Sequence, residues 1–269
     1  MAEVCAGFTS FARSPPCPPL PTLSSFCSLS PPRRTSATCT ALSAATLGAS
    51  LARLSTAREA LAGILSSGVI ACLRAESAEL AMEAARAALN GGITVLEIVM
   101  TTPGALEVIE ELQREYTSSI FGVGTVLSIE DARNAVSAGA MFLMSPVTIK
   151  EILFDIQGED VLYIPGAMTP TEVFDAHNLG ARIVKIYPTS VLGGAQYISV
   201  LKKPFCHIPM VASQGITIDL IKTYIDRGAS AVVLSDAIFE KAAMSQRNYD
   251  AIYRLAALAS FQGSQAVNR

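Results

Sequence analysis

From residue 68 to the C-terminus, short apolar runs rich in β-branched residues alternate with longer stretches whose apolar positions recur at helical spacing. Such alternation marks repeated βα units on a parallel sheet. The pattern predicts strands over 68–73, 93–98, 120–123, 141–144, 161–165, 182–186, 208–212 and 230–234. Between and after them it predicts helices over 77–90, 103–116, 128–138, 148–157, 170–179, 195–202, 216–227 and 246–260. Ser128 ahead of Glu130 and Asp131 reads as a cap followed by acids that suit the positive end of a helix; Thr169-Pro170-Thr171-Glu172 has the same character, and Pro103 fits a first helical turn. Gly91-Gly92, Gly139, Gly180 and Gly228 stand where helices should end, just before the next strand. Eight such units predict an α/β fold, a (β/α)8 TIM barrel. A doubly wound open sheet is the competing architecture, but it usually carries a glycine-rich loop after its first strand, and residues 73–80 contain no glycine. In a barrel the chemistry sits at the C-terminal strand ends.

The first 50 residues do not share the pattern. They hold fifteen Ser or Thr, seven Pro, three Arg and one acid, Glu3, while the other 22 of the chain's 23 acids follow. A Ser-rich, acid-poor leader with scattered Arg is the composition of an organelle transit peptide, and the run from Pro15 to Pro19 cannot continue a helix. The abundance of Ser and Pro, without an amphipathic Arg helix, favours a chloroplast over a mitochondrion; a secretory signal would need a compact apolar segment after a charged one. A merely disordered tail is the alternative. The expected organisation is therefore a leader over 1–50 and a single barrel domain over 51–269. Those 219 residues are compact for eight units, against roughly 250 in a typical barrel.

Composition narrows the function. Hydrophobic residues make up 51% of the chain and charged ones 16%, enough for a folded core. A net charge of −3 with no basic block beyond Arg33-Arg34 argues against nucleic acid, and no apolar run approaches the roughly 18 residues of a membrane span. Four of the six cysteines, Cys5, Cys17, Cys27 and Cys39, lie in the leader, leaving Cys72 and Cys206. With no CxxC pair, and His177 and His207 thirty residues apart, a zinc site has little support.

Only six lysines follow residue 50, and Lys185 alone lies inside an apolar strand, Ile183-Val184-Lys185-Ile186-Tyr187. Desolvation there disfavours the ammonium form and leaves an amine able to attack a carbonyl carbon, the requirement of a Schiff-base enzyme. Glu97, in Val95-Leu96-Glu97-Ile98-Val99, is the one acid embedded in a strand and could move protons to and from a substrate bound there. A silent Lys–Glu ion pair is the structural alternative. Gly122-Val123-Gly124-Thr125 after the third strand would offer backbone amides and a hydroxyl, and Arg74 after the first a fork for a carboxylate.

Taken in order, these segments resemble one family over about 190 residues: the class I 2-keto-3-deoxy-6-phosphogluconate and 4-hydroxy-2-oxoglutarate aldolases. The resemblance is carried by IACLRAES (70–77), GGITVLEIVMTTPGA (91–105), GVGTVLS (122–128), MSPV (144–147), YIPGAMTPTEV (163–173) and VKIYP (184–188). It implies a homotrimeric barrel in which Lys185 forms an imine with the substrate ketone and Glu97 is the acid/base, working through water. It further implies that Arg74, Thr125 and Pro146 line the pyruvate pocket, and that a small keto acid is the partner with no metal or cofactor required. Thr101 stands where relatives carry arginine or threonine, which shifts carboxylate recognition towards Arg74.

Two loops depart from the family. Where it usually reads Pro-Thr-Gly-Gly, this chain has Ala212-Ser213-Gln214-Gly215, and where it has a glycine-rich turn ending in serine, this chain has Ser235-Asp236-Ala237. In the family these loops hold phosphate on bare amides, so Ser213 and Ser235 are the candidate binding residues. Gln214 adds bulk, and an ionised Asp236 about 4 Å from the anion would repel it by roughly 1 kcal/mol per charge pair in water and more in a drier pocket. Asp236 could instead cap a following helix. Two other functions compete with a lyase: a non-catalytic carboxylate-binding barrel, which the retained Lys185 and Glu97 oppose, and a phosphate-gripping isomerase without an imine, which the altered loops oppose.

Overall fold

The computed structural model describes residues 44–156 and 161–268. All eight expected strands are present, as nine paired segments: β1 (Val69–Leu73), β2 (Val95–Val99), β3 (Ile120–Gly124), β4 (Phe142–Met144), β5 (Leu162–Ile164), β6 (Gly166–Ala167), β7 (Val184–Ile186), β8 (Met210–Ser213) and β9 (Ala231–Leu234). The extra segment comes from Pro165, which has no N–H to donate to a ladder. On its N-terminal side the chain pairs with β4 and on its C-terminal side with β7. Pro165 still accepts, taking the Lys185 N–H at 2.8 Å on its carbonyl. Every pairing is parallel, in the order β5-β4-β3-β2-β1-β9-β8-β7-β6. The two ends of that ladder are consecutive halves of one run, so the sheet curls into a nearly closed (β/α)8 barrel and not the open sheet.

The connecting helices are α2 (Ala78–Asn90), α3 (Ala105–Glu115), α4 (Ile129–Ser137), α5 (Lys150–Asp155), α6 (Pro170–Asn178), α7 (Ala195–Lys202), α8 (Ile221–Asp226), α9 (Lys241–Ser245) and α10 (Tyr249–Val267), with α1 (Ala44–Ser67) preceding β1. Ser128 caps α4 by accepting the Asp131 N–H at 3.0 Å, and Thr169 with Glu172 forms a reciprocal capping box on α6. Pro103 stands outside α3: the cap is Gly104, at φ 70°, and the helix opens at Ala105. The helix expected over 216–227 is a 3-10 turn, Ile218–Leu220, followed by α8; the terminal one is α10, which runs on to Val267, and the short α9 before it was not expected. Most of the Ser-rich leader lies outside the described residues, and α1 runs across residue 50.

Helix α1 was not expected from the pattern, yet it completes the core. Side chains alternate along each strand: Ala71 and Leu73, Leu96 and Ile98, Val184 and Ile186 face the surrounding helices, while Ile70, Val95 and Ile183 face the lumen. Buried Ala57, Ala60 and Ile64 of α1 join that inner cluster. The helix packs against β1, β2, β5 and β9 and so lies across the N-terminal end of the barrel. At Gly63 the helix comes close to Ile120, whose side-chain tip would have to move for a larger residue to fit.

Truncation of this plug should be costly. We expect Ile64→Ala to destabilise by about 2–4 kcal/mol in denaturant unfolding, because the barrel floor cannot collapse into the space. Leu65→Ala, one residue on and 38% exposed, should stay within about 0.5 kcal/mol. Equal effects at the two positions would mean that α1 does not close the lumen.

Candidate active site

Strands β2 and β7 lie four steps apart in either direction around a ring of eight, so their inward side chains meet across the lumen. They bring Glu97, 1% exposed, towards Lys185, 8% exposed, above the apolar floor. Lys185 Nζ lies 5.5 Å from the centroid of the Tyr187 ring. Among the described residues Lys185 forms no ion pair, and Glu97 Oε2 has no hydrogen-bond partner, so the pair is not the silent salt bridge that was its structural alternative. An unsatisfied buried carboxylate oxygen is expensive and marks a group kept for a ligand.

The glycines of Gly122-Val123-Gly124-Thr125 serve the site by absence of bulk. A Cβ at Gly122 would lie 2.5 Å from the Phe142 ring, and one at Gly124 would occupy the space of the Glu97 carboxylate. Thr125, half-buried, sits at φ 59°, a left-handed conformation that is strained for a β-branched residue and characteristic of functional sites. Cys72 pairs with Glu97 in the β1–β2 register, and its thiol is held well above its ordinary range, first by burial and then by the Glu97 carboxylate beside it.

At the C-terminal mouth a cavity of about 650 Å³ collects Arg74, Thr101, Ser235, Asp236 and Lys241 from the loops after β1, β2 and β9. Among the described residues Arg74 is in no ion pair and remains available to an anion. Its loop is fixed by Thr102, whose buried hydroxyl accepts the Ala75 N–H at 3.2 Å. Asp236 is not a helix cap: α9 begins at Lys241 with Glu240 in the cap position, and Asp236 is an exposed wall of the cavity. Pro146 lies on the opposite side of the mouth, in a second cavity of about 490 Å³ with Gly166, Tyr187 and Pro188. Ser213 is buried at the end of β8, its N–H donated to Thr189 Oγ1 at 3.0 Å. Gln214, at φ 87°, is exposed, and its side-chain oxygen accepts the Ser190 hydroxyl.

Comparison with known proteins decides the family: residues 63–255 match the aldolase family described as KDPG and KHG aldolase. The chain belongs to that family. It is accordingly an aldehyde-lyase of the Schiff-base class. Similar proteins include the 2-dehydro-3-deoxy-phosphogluconate aldolase of Treponema pallidum, 34% identical over 157 residues that span 58% of this chain and 75% of that one. The KHG/KDPG aldolase of Escherichia coli is 26% identical over 72% of this chain and 91% of its own. Among solved structures, KDPG aldolase from Legionella pneumophila, with pyruvate captured as a covalent carbinolamine intermediate, superposes with a TM-score of 0.68 at 26% identity, covering 73% of this chain and 95% of that one.

Within this aldolase frame, four residues escaped the sequence reading. Cys72 reads as one more apolar strand position, and Thr102, Gly166 and Lys241 matter only through loops that folding brings together; a Cβ at Gly166 would strike the backbone of Pro146. Sequence distance also misled at the two histidines: the rings of His177 and His207 meet edge to face, centroids 5.3 Å apart. Among the described residues no cluster of His, Cys, Asp or Glu is able to hold a metal ion.

Because Gly124 makes room for Glu97, Gly124→Ala should push the carboxylate out of place. We expect turnover of the aldolase to fall at least about 100-fold while the protein stays folded by circular dichroism. Activity within a factor of about two of the wild type would show that Glu97 does not need its present position.

Proposed function

We propose that Lys185 is the imine-forming residue and Glu97 the acid/base in cleavage of a 2-keto-4-hydroxy acid to pyruvate and an aldehyde. The Lys185 amine attacks the C2 carbonyl, and loss of water gives a protonated imine. Glu97, through a water molecule, takes the proton of the C4 hydroxyl as the C3–C4 bond breaks and its electrons pass to the imine nitrogen as an enamine. Protonation at C3 and hydrolysis release pyruvate and restore the amine. The observation that carries this reading is the meeting, above an apolar floor, of a buried lysine without an ion pair and a buried carboxylate with an unpartnered oxygen. Arg74, with Thr101, receives the substrate carboxylate, and Thr125 and Pro146 shape the pyruvate end. Incubation with pyruvate and borohydride should modify Lys185, mapped by mass spectrometry, and Lys185→Ala should abolish both the adduct and cleavage. A fully active Lys185→Ala variant would refute the mechanism.

The substrate read from the mouth is unphosphorylated, such as 4-hydroxy-2-oxoglutarate, and this is supported by the Asp236 carboxylate in the cavity wall. Relative to the wild type, Asp236→Gly with Gln214→Gly should raise kcat/KM for a phosphorylated six-carbon keto acid by about 5- to 150-fold, the equivalent of roughly 1–3 kcal/mol of removed repulsion and crowding. The reading fails if the wild type already cleaves the phosphorylated substrate as well as the unphosphorylated one.

The working form in this proposal is a homotrimer delivered to the chloroplast by the leader. In support of assembly, Leu127, Val147, Phe154, Met168 and Phe174 are exposed on three consecutive units of the barrel, an apolar face suited to burial against further copies. The leader's composition supports the destination.

A further inference from the structure

The lumen holds a third ionisable group that the mechanism above does not use. Cys72 lies on β1, directly beside Glu97 in the parallel register, and the alternation of β1 turns it inward above Ile70. It is half-buried, and the groups facing it are Glu97, Lys185 and Arg74. Glu97 itself is 1% exposed, its space is cut out by Gly124, and its Oε2 lacks a partner. A carboxylate in such a slot needs a donor to fix its rotation, because a freely turning acid/base spends much of its time misaligned. The thiol of Cys72, on the adjacent strand and in register with Glu97, is a side-chain donor placed beside that carboxylate.

We infer that Cys72 is a positioning residue: its S–H donates to the Glu97 carboxylate and fixes the direction in which that group exchanges protons with the substrate. Burial and the adjacent carboxylate keep the thiol protonated, as a donor must be. The same two effects deny it thiolate character, so a ketone entering the lumen meets one effective nucleophile, the Lys185 amine, and not two. This inference rests on the aldolase reading of Lys185 and Glu97 and adds a residue to it.

The test compares wild type with Cys72→Ser, which keeps a donor, and with Cys72→Ala and Cys72→Val, which do not. We expect kcat for keto-acid cleavage to fall about tenfold in the Ala and Val variants with KM within about twofold, and to recover to within about threefold of wild type in the Ser variant. Borohydride trapping of pyruvate on Lys185 should proceed in all four proteins. In parallel, Glu97→Gln should speed alkylation of Cys72 by iodoacetamide at mildly alkaline pH, followed by peptide mass spectrometry, because the charge that suppresses the thiolate is gone. Wild-type kcat in both the Ala and Val variants overturns the inference. So does a Ser variant as slow as Ala, which would assign Cys72 to packing, and so does an alkylation rate indifferent to Glu97. If wild type itself fails to trap pyruvate, it is the aldolase reading that has failed, and the alkylation experiment still decides whether Cys72 and Glu97 are coupled.

Discussion

A carboxylate and an amine withdrawn from water inside a protein demand more of their surroundings than any apolar pair, and the upper half of this barrel is arranged to meet that demand. Glu97 is accommodated by a glycine on the next strand and a thiol on the other side. Lys185 is anchored through its backbone at the seam where Pro165 interrupts the sheet, and its amine lies over an aromatic face. Neither is neutralised by an ion pair among the described residues, so the cost of burial is met by the stability of the floor below, where large aliphatic side chains fill the lumen. In the proposed mechanism reactivity depends on this absence of an ion pair, which leaves both groups to a substrate.

How much of this was legible beforehand depended on contrast. The strands announced themselves because β-branched runs stand out against helical spacing, and Lys185 and Glu97 because a single charge in such a run has no structural excuse. Helix α1 gave no such signal, since its inward residues Ala57 and Ala60 are small and Arg58 and Glu59 stand between them, and small residues fit an exposed helix as readily as a buried one. The Gly-x-Gly run was read as a set of amide donors, whereas its glycines are there to be empty, a role visible only once Phe142 and Glu97 are seen to need the space. Thr102 and Gly166 act through loops far away in sequence, and no local pattern encodes such a meeting.

The mouth of the barrel shows how a family scaffold accepts change. The loops after β8 and β9 carry a glutamine at positive φ and an aspartate in a cavity wall, both exposed, whereas Glu97 and Lys185 are buried. Ser190 ties down the glutamine, and Thr189 holds the backbone of Ser213 from beneath. In the proposed function this rim selects the far end of the substrate while the lumen pair breaks the bond, a division of labour that barrels favour.

The helix across the bottom of the barrel bears on a different stage of the protein's life. Ala57, Ala60 and Ile64 are as much part of the interior as any strand residue, although they lie only a few positions beyond the Ser-rich N-terminal stretch. If that stretch is a cleaved leader, as proposed, its removal works against a narrow tolerance. Cuts before Ala57 leave the plug whole, and cuts a turn or two further would remove the first buried residues of the domain and open the lumen from below.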